Sequence, residues 1–525
     1  MQTTGLAKTI MLQGTASDVG KSLLTAALCR IFTEDGWRTA PFKSQNMSLN
    51  SYVTWDGKEI GRAQGMQADA CGILATTDMN PILLKPTGEM RSQVIVHGKP
   101  LRDYEARAYR EEVLPLAEPI VREALERLRL QSDAVVLEGA GSPVEINLKD
   151  RDIVNMRMAS WADAPVLLVA DIDRGGVFAS IVGTMELLEP EERERVAGFV
   201  INKFRGDVSL LRPGLEWLEA RTGKPVLGVV PYLPGLELED EDSLSLDRSS
   251  HQAVQPTSED TLDIAVIRLA RLSNFTDLDP LQGESDLRLR YVDSPGKLGH
   301  PDAVILPGSK NTTADLAILR ENGMAAALER YAAVGGRVVG ICGGYEMMGR
   351  LLLDPDRTES DIPELPGLGW FPFDVIFSAD KRTIRVSGQG QLPGMHHEES
   401  IDGYEIHTGI INMPAGVLQP FAIREQQLDG ESEMPLSPEG ASQPDGRLWG
   451  TFIHGIMHND EFRRAWLNQL RLDRGWPPAQ TGNRFNERRQ DAFARLAGHV
   501  RAHVDLQAIY AIMGLTAHTG IRNVE

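Results

Sequence analysis

The chain is short of three things, and each shortage excludes a class of protein. Cysteine is nearly absent: only Cys29, Cys71 and Cys342 occur. Their spacing fits neither a disulfide framework nor a zinc site and points to a reducing, cytoplasmic setting. Long apolar runs are missing as well. No stretch approaches the roughly 18 uninterrupted apolar residues of a membrane-spanning helix, and the N-terminus lacks the apolar core of a signal peptide, so a soluble, unexported protein is expected. Positive charge is the third shortage. Lys and Arg total 54 against 74 Asp and Glu, a formal charge of −20, which argues against nucleic acid or an anionic membrane as a partner. An anionic ligand therefore needs local basic groups.

What is present begins with size. A chain of 525 residues exceeds the length at which one hydrophobic core stops growing, so two or more domains are expected. Near the start, apolar Ile10, Met11 and Leu12 lead into Gln-Gly-Thr-Ala-Ser-Asp-Val-Gly-Lys-Ser, after which Leu23, Leu24, Ala26, Ala27 and Leu28 recur at helical spacing. A glycine-rich strand-to-helix turn of this kind cradles phosphate with backbone N–H groups and a helix N-terminus. Gly14, Thr15, Asp18, Gly20, Lys21 and Ser22 are its nucleotide-binding candidates, with Lys21 for the terminal phosphates and Ser22 for Mg2+. Five residues separate Gly14 from Gly20, one more than the usual P-loop.

Further strands end in chemistry. The apolar stretch 37–42 delivers Lys43; Ala134–Leu137 delivers Glu138, a Mg2+ ligand candidate followed by Gly-Ala-Gly; the stretch 165–170 delivers Asp173, a metal or substrate candidate. In parallel α/β sheets ligands bind at such carboxyl ends. The strand predicted over 198–201 leads into Asn202-Lys203-Phe204-Arg205. Arg205 stands where a guanine-reading motif has aspartate, which favours ATP over GTP. Between residues 45 and 99, Gln45, Asn46, Gln64, Gln67, Lys85, Arg91, Gln93, His97 and Lys99 make an unusual density of amides and cations, suited to a large polar ligand. Alternating strands and helices predict an α/β nucleotide-binding domain over 1–235 with a mostly parallel, helix-flanked sheet. The acidic, Ser- and Gln-rich stretch 236–263 reads as a linker.

A second set of strands is predicted at 264–269, 303–306 and 337–341, within a second domain over 264–475. The last runs into Gly340-Ile341-Cys342-Gly343-Gly344-Tyr345, where a thiol flanked by small residues at a strand-to-helix turn has the setting of a nucleophile elbow. His454, ending Gly-Thr-Phe-Ile-His, is the preferred base and His407 the runner-up. Gly343, and Gly308 in Pro-Gly-Ser-Lys-Asn-Thr, are the oxyanion-hole candidates. In the helical stretch 476–525, His499 and His503 stand four apart, but they lack the intervening glutamate of a zinc-protease motif. The stripe Phe493, Leu496, Ala497, Val500 and Val504 beside them predicts a packed helix.

Together these motifs resemble a known family. The P-loop with its extra residue, Lys43 and Glu-Gly-Ala-Gly are similar to the dethiobiotin synthetase group, in which the longer spacing is normal. The second half resembles a class I glutamine amidotransferase domain, carried by Gly-Ile-Cys-Gly-Gly-Tyr, Gly-Tyr-Glu-Ile-His and Gly-Thr-Phe-Ile-His-Gly. Ala-Pro-Phe-Lys-Ser-Gln-Asn-Met-Ser-Leu-Asn-Ser, Asp-Met-Asn-Pro-Ile-Leu-Leu-Lys-Pro and Asp-Ile-Asp-Arg-Gly-Gly-Val-Phe narrow the resemblance to the adenosylcobyric acid synthases. It implies ATP- and glutamine-dependent amidation, with Mg2+, of four peripheral carboxylates (b, d, e and g) on a corrinoid, the a,c-diamide. Cys342 and His454 would release ammonia from glutamine and Lys43 would assist phosphoryl transfer, with Gln45, Asn46, Gln64, Lys85, Arg91 and Asp173 as substrate-binding candidates and Asn202 at the nucleotide.

Two departures accompany the resemblance. Gln64 stands where dethiobiotin synthetases place a Mg2+-binding aspartate, and Ile456 stands where ordinary class I amidotransferases have the glutamate that orients the catalytic histidine. The glutaminase is then a Cys342–His454 dyad or recruits an orienting group from elsewhere. Alternatives are a cobyrinic acid a,c-diamide synthase, a P-loop nucleotide switch without amidation activity, and a glutaminase subunit serving another synthase. Oligomeric state is not legible in the sequence.

Overall fold

A computed structural model describes residues 5–88, 90–149, 152–236, 238, 260–426, 435–480 and 484–515. They form two units, the first drawn from the ranges 1–48, 60–239 and 489–525, the second from 49–59 and 240–488. Most of the stretch 236–263 read as a linker lies outside the described residues. Among the described residues no helix is long and apolar enough to cross a membrane.

The first unit is built on a six-stranded sheet in the order Val226–Pro231, Val196–Phe204, Val166–Asp171, Lys8–Gly14, Ala134–Glu138, Thr39–Phe42. All its pairings are parallel. Central strands read as continuous apolar runs because helices cover both faces. The register places Leu12 beside Glu138 and Phe42 beside Leu137. Gly14, Glu138 and Lys43 therefore reach the same carboxyl edge.

The strand read over 198–201 is longer, Val196–Phe204, because Asn202 pairs in register with Asp171. Lys203 follows in the left-handed region at φ 59°, so the ladder breaks there. The polar stretch between 45 and 99 holds a small sheet of its own. Strand Gln45–Met47 pairs parallel with Ile82–Gly88, which continues through Arg91–Val96 to Lys99–Glu105 by antiparallel pairings.

The C-terminal stripe belongs to this unit. Phe493, Leu496, Ala497, Val500 and Val504 are buried in one core with Ile10, Leu12, Leu24 and Leu28, and each fully buried large side chain of this kind contributes about 1.5–3 kcal/mol. His499 Nε2 donates to the Pro231 carbonyl at 2.8 Å and His503 Nδ1 to that of His499 at 2.8 Å. These rings serve the backbone; among the described residues no cluster of three His, Cys, Asp or Glu side chains is placed to hold a metal.

The second unit repeats the principle. Its central sheet runs Leu287–Val292, Leu262–Ile267, Ala303–Leu306, Arg337–Ile341, Leu448–Thr451, Ala441–Ser442, parallel except for the last, antiparallel edge. Here the strand read over 264–269 begins and ends two residues earlier, because Leu262 already pairs with Leu287. Ile341 lies beside Thr451 and Leu306 beside Gly340, so the residues after three neighbouring strands, Pro307-Gly308, Cys342 and Phe452–His454, share one edge. A long antiparallel ribbon, Asp374–Gly390 with Glu399–Ile411, forms a second sheet.

Candidate active sites

In the first unit the loop after Lys8–Gly14 leads into helix Lys21–Glu34, whose N-cap Gly20 lies at φ 94° and makes no side-chain cap. Glycine has no side chain with which to cap the helix, so this N-terminus is built without the usual Ser, Thr, Asp or Asn cap. Gly14 is fixed by crowding: a Cβ there would stand 2.7 Å from the Ala16 carbonyl and 2.8 Å from Lys21 Nζ. Lys21 Nζ donates to the carbonyls of Ala16 (3.1 Å) and Gly141 (3.3 Å), so it bridges the loop to the Gly-Ala-Gly turn after Glu138. Thr15 N–H donates to the Val169 carbonyl at 2.9 Å and closes the loop onto the sheet.

Glu138 is the hub of this site. Its Oε1 accepts from Ser22 Oγ at 2.8 Å and from Lys43 Nζ at 2.9 Å, and its Oε2 accepts from Gln67 Nε2 at 2.6 Å. Lys43 and Glu138 are both almost fully buried, where a charge is tolerated only when paired and hydrogen-bonded. The amide on Glu138 is Gln67; Gln64, one helical turn away on Arg62–Ala70, instead accepts from Asn46 Nδ2 at 2.9 Å. Residues three apart on a helix share a face; of these two, Gln67 bonds Glu138 and Gln64 bonds Asn46.

The other candidates divide into two groups. Gln45, Asn46, Lys85 and Arg91 lie on the small sheet, with Lys85 opposite Gln93 and Gln45 accepting from Tyr109 Oη. Asn202 is elsewhere, donating through Nδ2 to the Val19 carbonyl at 2.8 Å beside Gly20. Lys203 is tied to Asp171 at 2.9 Å and to the Asp18 carbonyl. Asp173 forms an exposed pair with Arg205 at 2.9 Å, and the Arg205 guanidinium lies 3.7 Å from the centroid of the Tyr232 ring.

In the second unit Cys342 lies between strand Arg337–Ile341 and helix Gly343–Met347 at φ 51°, ψ −112°. This is a strained conformation for a side-chain-bearing residue, and it sets the buried thiol at the turn itself. Packing explains the glycines after it: a Cβ on Gly344 would stand 1.9 Å from the Leu306 carbonyl oxygen, and one on Gly343 would stand 2.9 Å from Ser309 N. Gly308 approaches from the opposite side, where a Cβ would meet His454 Cε1 at 3.2 Å. The two glycine turns thus lie against each other at Gly343 and Ser309, with Gly308 beside the imidazole.

His454 is fully buried and held from several directions. Its Nδ1 lies 2.6 Å from Asp277 Oδ2, while Asp277 Oδ1 accepts from Gly455 N–H at 2.9 Å. The Tyr404 ring stacks on the imidazole with centroids 5.1 Å apart. Asn274 Nδ2 lies 3.3 Å from Nε2. Asp277 is the orienting group that the sequence did not reveal; it sits in the short helix Phe275–Leu278, after the strand Leu262–Ile267, not after the histidine. Its Asn-Phe-Thr-Asp setting carries no local signature of that role.

Burial, and after it the charge of Glu346, push the Cys342 thiol well above its ordinary value, so the thiol needs a base. His407 is engaged otherwise, with Nδ1 2.8 Å from the Gly409 carbonyl and its ring stacked 3.8 Å from Phe452. Burial also raises Glu346, which accepts from Thr312 Oγ1 at 2.7 Å. Glu359, pushed up to about 8 by burial and by Glu346, accepts from Thr312 N–H at 3.1 Å and packs against the Pro-Gly-Ser-Lys-Asn-Thr turn.

A phosphate-binding loop at one sheet edge and a cysteine elbow with a carboxylate-oriented histidine at another define a P-loop nucleotide-binding unit joined in one chain to a glutamine amidotransferase unit. The comparisons agree. The CobQ/CobB/MinD/ParA nucleotide binding domain matches residues 10–246 and the CobB/CobQ-like glutamine amidotransferase domain residues 263–462. The chain is 50% identical to the cobyric acid synthase of Geobacillus kaustophilus over 96% of its length and 97% of the relative's. It is 51% identical to that of Sorangium cellulosum and 50% to that of Desulforamulus reducens, each over 97% of this chain and 99% of the relative. The chain belongs to the cobyric acid synthase family, glutamine-hydrolysing amidoligases of cobalamin biosynthesis.

Proposed function

We propose that this chain amidates four peripheral carboxylates (b, d, e and g) of adenosylcobyrinic acid a,c-diamide in succession, activating each with ATP and drawing ammonia from glutamine. The observation that carries this is the pairing of two complete sets of groups in one chain: Lys21, Ser22, Lys43 and Glu138 around the P-loop, and Cys342, His454 and Asp277 around the elbow.

A carboxylate is a poor electrophile, so it must first become an acyl phosphate. Lys21 and Lys43 neutralise the charge on the transferring phosphoryl group, in a buried setting where such contacts count most. Asn202 steadies the nucleotide loop at Val19. Ser22 Oγ and Glu138 would hold Mg2+, which takes one or two protein oxygens and fills its shell with phosphate and water. Gln67 Oε1, buried and without a hydrogen-bond partner beside Glu138, fits an acceptor for a metal-bound water. Bound there, Mg2+ would supply positive charge against the phosphate oxygens.

At the second site His454 takes the thiol proton, Cys342 Sγ attacks the glutamine amide carbon, and N–H groups of Gly343 and Gly308 receive the oxyanion. The proton passes to the departing ammonia, and water then hydrolyses the thioester to glutamate. Gln45, Asn46, Gln64, Lys85 and Arg91 offer the amides and cations for a large polyanionic corrinoid; Asp173, paired with Arg205, is the substrate candidate set apart from them.

The test exchanges the nitrogen source. Cys342→Ala should lose glutamine-driven amidation and keep amidation with free ammonia, while Lys21→Ala should lose both. Ammonia-driven turnover by Lys21→Ala, or its loss in a folded Cys342→Ala, would contradict the assignment.

A further inference from the structure

Residues Leu49–Glu59 belong to the amidotransferase unit, although in sequence they follow Lys43–Ser48 of the other unit without a break. The groups that grip the two reacting side chains rest on this segment. Ser51 N–H donates to Asn274 Oδ1 at 2.8 Å, and Asn50 Oδ1 accepts from Phe275 N–H at 3.2 Å. Val53 packs in one buried cluster with Tyr404 and Ile406. Tyr404 stacks on His454, and the Ile406 carbonyl accepts from the Cys342 thiol at 3.7 Å. The segment is itself fastened down: Ser51 Oγ donates to Glu59 Oε1 at 2.5 Å, Lys381 pairs with Glu59, and Arg385 donates to the Val53 carbonyl at 3.0 Å.

These contacts fix the protons. A backbone N–H can only donate, so Ser51 fixes the Asn274 amide with Oδ1 toward itself and Nδ2 toward His454. Asp277 accepts from Nδ1–H on the far side of the ring, which leaves Nε2 with a lone pair, and that lone pair accepts from Asn274 Nδ2. It is the one that must take the Cys342 proton. Among the described residues no hydrogen bond joins Cys342 to His454; the thiol points its proton at Ile406 instead. Asn274 holds this position in the left-handed region at φ 52°, which asparagine tolerates better than most residues.

Resting on the roles proposed for Cys342 and His454, we infer that Leu49–Glu59 is a latch on the glutaminase: through Asn274 it fills the Nε2 lone pair, and through Ile406 it holds the thiol. Transfer of the Cys342 Sγ proton to His454 Nε2, which frees the thiolate for attack, waits until the segment shifts. The segment continues directly from Lys43, Gln45 and Asn46, so loading of the nucleotide and corrinoid groups reaches Asn274 along the chain. Glutamine is then hydrolysed only when an acceptor is ready.

The experiment measures glutamate release from glutamine by the full-length chain without ATP or corrinoid, in Asn274→Ala, Asn50→Ala and Cys342→Ala. Asn274→Ala opens the lone pair directly; Asn50→Ala loosens the segment from Phe275 and leaves the histidine shell intact. Both should raise this uncoupled hydrolysis about tenfold, the loss of a hydrogen bond at the upper end of the neutral range, and form more glutamate than amide under full assay conditions. A merely structural asparagine gives the opposite sign, lower hydrolysis. Unchanged or lower uncoupled hydrolysis in both variants overturns the latch. Hydrolysis surviving in Cys342→Ala overturns the nucleophile assignment itself, which separates the two failures.

Discussion

Asp277 Oδ2 stands 2.6 Å from His454 Nδ1 although the two residues lie 177 positions apart in sequence. The carboxylate accepts the Nδ1 proton, sets the tautomer and leaves Nε2 as the basic nitrogen, the arrangement a general base for a thiol requires. The position two residues after the histidine is Ile456, which is buried; the carboxylate on the imidazole comes instead from the short helix Phe275–Leu278.

Asp277→Asn therefore keeps the shape and loses the fixed tautomer. Glutamine-driven amidation should fall by about 10²-fold or more, the usual worth of a positioned acid–base group, and ammonia-driven amidation should persist at the level of the unaltered chain. A steady-state assay with the two nitrogen sources checks both. Equal loss with both sources would mean that Asp277 serves folding rather than the base.

Gln67 touches Glu138 from the side opposite Lys43 and Ser22, one carboxylate oxygen against the other. Groups that orient a ligating carboxylate affect metal affinity by about 10–100-fold. Gln67→Ala should accordingly raise the magnesium concentration needed for half-maximal ammonia-driven amidation about tenfold. Gln64→Ala, which frees Asn46 and leaves Glu138 untouched, should not. An equal shift in both variants would point to the helix rather than to the Glu138 contact.

Stability should depend on pH through buried carboxyls of the amidotransferase unit. Burial, with the charge of Glu405, pushes Glu439 up to about 8, while an unfolded glutamate titrates near 4.3. Between these values the unfolded chain has lost a proton that the folded chain keeps, so stability falls as pH rises through that window and levels off above it. Glu359 acts in the same direction. In Glu439→Gln the drop in melting temperature between acid and alkaline buffer should shrink by about 3 °C or more, as roughly 1 kcal/mol is worth 2–4 °C in a unit of this size. Calorimetry showing an unchanged slope would contradict the elevated carboxyl.

These residues also show what the sequence made legible. The carboxyl ends of parallel strands could be read because apolar runs end abruptly in Lys43, Glu138 and Cys342, and the parallel register then brings separate strand ends to one edge. Asp277 could not be read, since an aspartate in a short helix has no periodicity or motif and acquires its partner only when two distant strands align. Gln67 was visible merely as one of many amides; a single helical turn decides which of Gln64 and Gln67 reaches Glu138. Least legible was the segment 49–59, whose composition gives no sign that it packs with Tyr404 and Ile406.

The central claim is one chain that amidates a corrinoid four times with ATP and glutamine. Mass spectrometry of adenosylcobyrinic acid a,c-diamide incubated with the protein, ATP, magnesium and glutamine tests it most directly. Four successive carboxyl-to-amide mass changes are expected, and they should vanish when ATP is omitted. A substrate recovered unchanged in the complete mixture would contradict the account.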